Sequence, residues 1–124
     1  MPNQERTLEE VLKEIGQSVL DWEGLSPTSP NDRASTGDYP LHKVAIWGDV
    51  QGADVLLNNG ADINCRGEDD DTPLHRAVAG LQLEMVEFLL SRGADPRQND
   101  MYGYSAWSAA RMTGNQALLS LFQS

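Results

Sequence analysis

The chain has 124 residues, enough for one domain with a continuous core and too few for two. Apolar residues make up 40% and charged residues 23%, a globular mixture, and no apolar run nears the roughly 18 residues that a bilayer-spanning helix needs. Nineteen acidic against nine basic side chains give a net charge of -10, which repels a phosphate backbone or an anionic membrane surface, so neither is an expected partner.

The amino end, MPNQERTLEE, lacks the basic-then-apolar order of a secretory signal, which leads us to expect a cytoplasmic protein. Thr7 and Glu10 form a T-x-x-E capping box, and Leu8, Val11, Leu12, Ile15, Val19 and Leu20 succeed them at helical spacing. A helix over 7–22, ending at Trp22, is therefore expected. From Gly24 to Gly37 two prolines, three serines and two threonines break any apolar period, and the stretch reads as a loop. Residues 1–36 form a helix-and-loop unit of their own.

Beyond residue 36 the chain repeats itself. Pro40-Leu41-His42 recurs as Pro73-Leu74-His75, and Asn59-Gly60-Ala61-Asp62 as Arg92-Gly93-Ala94-Asp95, so two separate motifs keep one period. One further step of that period carries Thr72-Pro73-Leu74-His75 onto Ser105-Ala106-Trp107-Ser108, Ala77 onto Ala110 and Leu89 onto Phe122. Each unit has its own local logic. Thr72 can cap a helix whose first turn accepts Pro73, because the N–H that proline lacks would have had no partner there. Leu74, Ala77 and Val78 give that helix a narrow apolar stripe. Met85, Val86, Leu89 and Leu90 mark a second helix, ended by Gly93, as Val55, Leu56 and Gly60 do one unit earlier.

Thr72-Pro73-Leu74-His75-Arg76-Ala77 resembles the T-P-L-H-x-A signature of the ankyrin-repeat family. Tyr39 and Val44 are the departures in the first copy, and the third keeps Ser105 and Ala110 but has neither the proline nor the histidine. The resemblance implies an all-α solenoid of three repeats, about 37–69, 70–102 and 103–124, each a turn finger followed by two antiparallel helices. It also implies that Pro40, His42, Thr72, Pro73, His75, Gly60 and Gly93 are structural, the histidines hydrogen-bonding backbone groups of the fingers. End repeats expose an apolar face unless something covers it. The 7–22 helix is expected to cover the first repeat, docking on a partner being its rival role, while Gln116, Ser120 and Gln123 turn the last helix polar.

No site for chemistry stands out. The sequence has no G-x-S-x-G, no H-E-x-x-H and no phosphate-binding glycine loop, and the Glu68-Asp69-Asp70-Asp71 run lacks the order of a calcium loop. His42 and His75 have no cysteine or carboxylate at ligand spacing, and the single cysteine, Cys65, suits a reducing compartment as a small part-buried residue. No catalysis, metal or cofactor is expected.

What remains is a surface. By resemblance, the finger tips and the exposed side of each first helix form a concave face that binds other proteins. In register these are Ser35, Thr36, Asp38, Ile46 and Trp47, then Glu68, Asp69, Asp71, Ala79 and Gly80, then Met101, Tyr102, Tyr104, Met112 and Thr113. Trp47 and the tyrosines would either anchor a partner or fold back beneath neighbouring segments. Segments 1–36, 37–69, 70–102 and 103–124 carry net charges of -4, -4, -3 and +1, which points to a basic partner. A monomeric, non-enzymatic binder of this charge is similar to small bacterial immunity proteins that neutralise a basic toxin such as a nuclease. The alternative is a cytosolic ankyrin adaptor.

Overall fold

The computed structural model describes residues 5–18 and 27–123. These residues hold seven α-helices: α1 (Leu8–Ser18), α2 (Pro40–Trp47), α3 (Val50–Asn58), α4 (Pro73–Ala79), α5 (Leu83–Ser91), α6 (Ala106–Thr113) and α7 (Gln116–Leu121). The expected helix over 7–22 is present as far as Ser18; Val19, Leu20, Trp22 and Gly24 lie outside the described residues. The described residues hold no β-strand, only an isolated bridge between Asn99 and Ser105.

The pairs α2–α3, α4–α5 and α6–α7 keep the period of the sequence motifs at both helices, the first starting at Pro40, Pro73 and Ala106 and the second at Val50, Leu83 and Gln116. Local chemistry sets each start. Thr72 Oγ1 accepts the His75 amide and Ser105 Oγ the Ser108 amide, while the side chains of Asp49 and Asn115 cap α3 and α7. After α3 and α5 the chain turns through Gly60 and Gly93, both with positive φ.

The helices stack in two layers, α2, α4 and α6 side by side in one and α3, α5 and α7 in the other. A single core runs through both. Its contributions repeat in register: Leu41, Val44 and Leu56 from the first pair match Leu74, Ala77 and Leu89 from the second, while the third adds Ala110 in the place of Ala77 and Leu118 in that of Met85. A fully buried leucine or valine side chain is worth about 2 kcal/mol, so the repeated positions carry most of the stability.

α1 closes the first end by burying Val11, Leu12 and Ile15 against α2 and α3. Its capping box is reciprocal: the Thr7 amide donates to Glu10 Oε1 and the Glu10 amide to Thr7 Oγ1. Arg6 pins the same end, donating to Glu14, to Gln51 and to the Asp49 carboxylate that caps α3. Ile15→Val should cost about 1 kcal/mol, read as a lower urea midpoint at unchanged slope. A midpoint equal to that of the native chain would mean that α1 adds nothing to the core.

The far end is closed differently. Trp107, Arg111 and Phe122 stand where Leu74, Val78 and Leu89 are buried in the preceding pair, yet Trp107 and Arg111 are exposed and Phe122 is half-buried. The Arg111 guanidinium lies 5.0 Å over the Trp107 ring and covers an apolar surface with a charged group that tolerates water.

Candidate functional interface

Before α2, α4 and α6 the chain forms turn fingers, and two histidines tie successive fingers together. The Tyr39 amide donates to His42 Nδ1 at 3.1 Å, and His42 Nε2 donates to the Asp71 carbonyl at 2.7 Å. His75 repeats this with the Thr72 amide at 3.0 Å and the Tyr104 carbonyl at 2.8 Å. Because Nδ1 accepts in both, each ring carries its proton on Nε2. Burial pushes the His42 pKa down to about 4, against the opposing pull of the Asp71 carbonyl and the Asp38 charge, so the ring is neutral in the folded chain. Burial, with Asp62 second, pushes the Cys65 thiol up to about 12, and it stays protonated.

A second bond set fixes the fingers through charge. Arg76 on α4 grips Asp38 with both terminal nitrogens, each at 2.9 Å, and its Nε donates to Asp71 Oδ2 at 3.0 Å. Lys43 Nζ stands 3.4 Å from Asp38, and the Glu68 amide donates to the same carboxylate at 2.9 Å. Burial raises the Asp38 carboxyl, but the Glu68 amide, Arg76 and His42 outweigh it and hold it below the ordinary value. For Asp71 burial wins over the Arg76 bond, and its pKa lies above the ordinary value. Gly67 makes this approach possible, since a Cβ there would meet Asp38 Oδ1 at 2.5 Å and His42 Nε2 at 2.7 Å.

This corrects the expected surface at two positions. Asp38, expected at a finger tip, is 2% exposed and spans from the first finger to α4. Asp71 is half-buried in the same cluster. Both carboxylates answer to Arg76, and Asp38 to Lys43 as well, so neither is available to a partner. Those that face water are Glu68, Asp69 and Asp70, in a short 3₁₀ turn where Asp69 and Asp70 both have positive φ. Asp70 belongs with them by register: it takes the place that Gly37 and Gly103 hold in the neighbouring fingers, so the middle finger keeps a left-handed residue without glycine.

Beside the acidic turn lies the third finger. The Met101 amide donates to the Asp69 carbonyl at 2.9 Å, and Asp100 Oδ1 accepts the amides of Tyr102 and Tyr104, each at 2.9 Å. Met101, Tyr102 and Tyr104 are exposed, so three carboxylates and three large side chains share one bonded edge. Along the first helices Ile46 is half-buried, while Trp47 and Met112 are exposed, as are Ala79 and Thr113; Gly80 is half-buried. Ser35 and Thr36 face water on the first finger.

Among the described residues no group of three or more His, Cys, Asp or Glu side chains could hold a metal ion, and no helix is long and apolar enough to cross a membrane. Paired helices in two layers, with bonded turn fingers along one edge, define a repeat-built helical binding module. A family model described as ankyrin repeats (many copies) matches residues 41–90, and over that stretch the paired helices are similar to ankyrin repeats. That family serves protein–protein interaction. No curated protein matches the chain.

Proposed function

We propose that the chain is an immunity protein, a non-enzymatic antitoxin that acts in the cytoplasm as a monomer without cofactor and neutralises a basic toxin such as a nuclease. The observation that carries this reading is the exposed Glu68-Asp69-Asp70 turn bonded to the exposed Met101-Tyr102-Tyr104 finger, on a chain of net charge -10. A toxin that cuts nucleic acid needs a basic groove to hold phosphates, and a rigid acidic edge competes for that groove. The carboxylates speed encounter over about 8 Å at physiological salt, while the aromatic and thioether side chains exclude water and slow release.

These two roles separate in kinetics. Glu68→Gln with Asp69→Asn and Asp70→Asn removes three charges, and asparagine suits the left-handed backbone at 69 and 70. Association should slow by roughly tenfold at low salt and lose much of its salt dependence. Trp47→Ala should instead cost about 2 kcal/mol, mostly as faster dissociation. Affinity capture from the native source, with a reading of the neighbouring gene, identifies the partner. A basic nuclease encoded directly upstream supports the proposal. Recovery of a neutral or acidic resident protein with no adjoining toxin gene replaces it with the adaptor reading.

A further inference from the structure

The first-helix layer carries its fingers at one end and an apolar row at the other. Trp47 is the last residue of α2, Leu81 stands two residues past α4 and Met112 is next to last in α6. They are 41%, 51% and 70% exposed, one large apolar side chain per helix pair and within one residue of the same register position.

Leu81 is the informative member. Its counterparts in the repeats before and after are Gly48 and Gly114, with φ of +76° and +68°, and Leu81 keeps that backbone at φ +53°. A leucine is disfavoured in the left-handed region, where the other two pairs use glycine. Its side chain stays 51% exposed, so burial returns only part of that cost. Stability is given up to present an apolar group to water, which is the pattern of a side chain that works on something outside the fold.

The spacing describes what that something is. Neighbouring helices in a layer lie about 8–10 Å apart, which sets the scale on which the three side chains recur. Seven residues of an α-helix rise roughly 10.5 Å, so a helix lying across α2, α4 and α6 meets the row with residues i, i+7 and i+14. An extended strand fits poorly, because residues on one of its faces recur at about 6.7 Å. The seat also has the right width: α4 has 7 residues, close to 10 Å between finger and row, about the diameter of a helix. One flank of the guest then runs beneath Glu68, Asp69 and Asp70, while Lys43 and Arg76 on the floor are both held by Asp38.

We infer that this surface takes a basic amphipathic helix of the partner, laid across the stack with apolar residues at heptad spacing on Trp47, Leu81 and Met112 and with Lys or Arg along the flank facing the acidic finger. This rests on the proposed function for the sign of the partner's charge.

The test uses the full chain and synthetic peptides with leucine at i, i+7 and i+14 and lysine along one flank. Controls carry the same composition scrambled, glutamate in place of lysine, or prolines with apolar residues at i, i+3 and i+6. The chain should bind the first peptide at least tenfold more tightly than any control. Leu81→Gly and Leu81→Asn should each raise the melting temperature by roughly 3 °C by relieving the backbone, yet weaken that peptide about tenfold. A merely structural Leu81 would give the gain in stability with unchanged binding, and that result overturns the inference. So does preference for the proline peptide, equal binding of the scrambled one, or no binding. If a captured basic toxin depends on Glu68, Asp69 and Asp70 but is indifferent to Leu81, the helix inference falls and the immunity reading stands. If Leu81 governs peptide binding but the captured partner is acidic, the immunity reading and the basic flank fall, and the apolar seat for a helix stands.

Discussion

Replacing Arg76 by alanine should destabilise the chain by about 3 kcal/mol, a large fraction of the stability of a domain this size. Asp38 has a side chain 3% exposed and would lose the bidentate partner that compensates its burial, while the longer Lys43 contact at 3.4 Å and the Glu68 amide remain. Most of the loss is the cost of leaving a buried carboxylate underpaired. Asp71 would lose its Arg76 bond at the same time. Two comparisons isolate the cause. Arg92→Ala breaks an ion pair with Asp54 whose side chains are 33% and 45% exposed, and it should cost less than about 1 kcal/mol. The double change Asp38→Leu with Arg76→Met should recover much of the lost stability by replacing the pair with apolar contacts. Urea midpoints decide the matter, and an Arg76→Ala midpoint no lower than that of Arg92→Ala would mean that the cluster does not hold the fingers.

Stability should also fall by about 3 kcal/mol as pH drops from 6.5 to 4, through His42 alone. Its pKa is about 4 in the folded chain against an ordinary 6.5. The unfolded chain therefore takes up the proton first, so the contribution of neutral His42 is complete above pH 6.5 and is lost progressively down to 4. The carboxylates enter at the acid end with opposite signs. Asp38, held low, loses its contribution as pH falls through its folded value, while Asp71, held high, gains one as it is protonated. His42→Gln should give a less stable chain with a flatter profile across this window, and the His42 ring resonances should titrate near 4. A His42 titration near 6.5 would contradict the neutral, finger-tying role.

The constant register of the repeats made the helices legible, because each start is written in local chemistry. Thr72 before Pro73 can only cap a helix there, and Gly60 and Gly93 mark where the second helices stop. The burial of Asp38 could not be read the same way. Its partner Arg76 sits on the next helix pair, and nothing beside Asp38 in the chain distinguishes a finger-tip acid from one drawn inward by a distant guanidinium. Trp47 was equally undecided, since a tryptophan at that register suits either a core or an interface, and only packing tells which. Leu81 differs from both. The arithmetic that placed Pro73 and Gly93 also sets Leu81 opposite Gly48 and Gly114, so its left-handed backbone was a readable signal that no motif or periodicity singled out.

The most direct test of the central claim is a titration of the captured basic nuclease with the native chain, reading nucleic-acid cleavage. The account predicts a linear loss of activity that ends at one chain per toxin, and a much weaker effect from the Glu68→Gln, Asp69→Asn, Asp70→Asn variant, whose slow association changes little as salt is lowered. Cleavage that persists with the chain in excess, or inhibition indifferent to those three carboxylates, would contradict it.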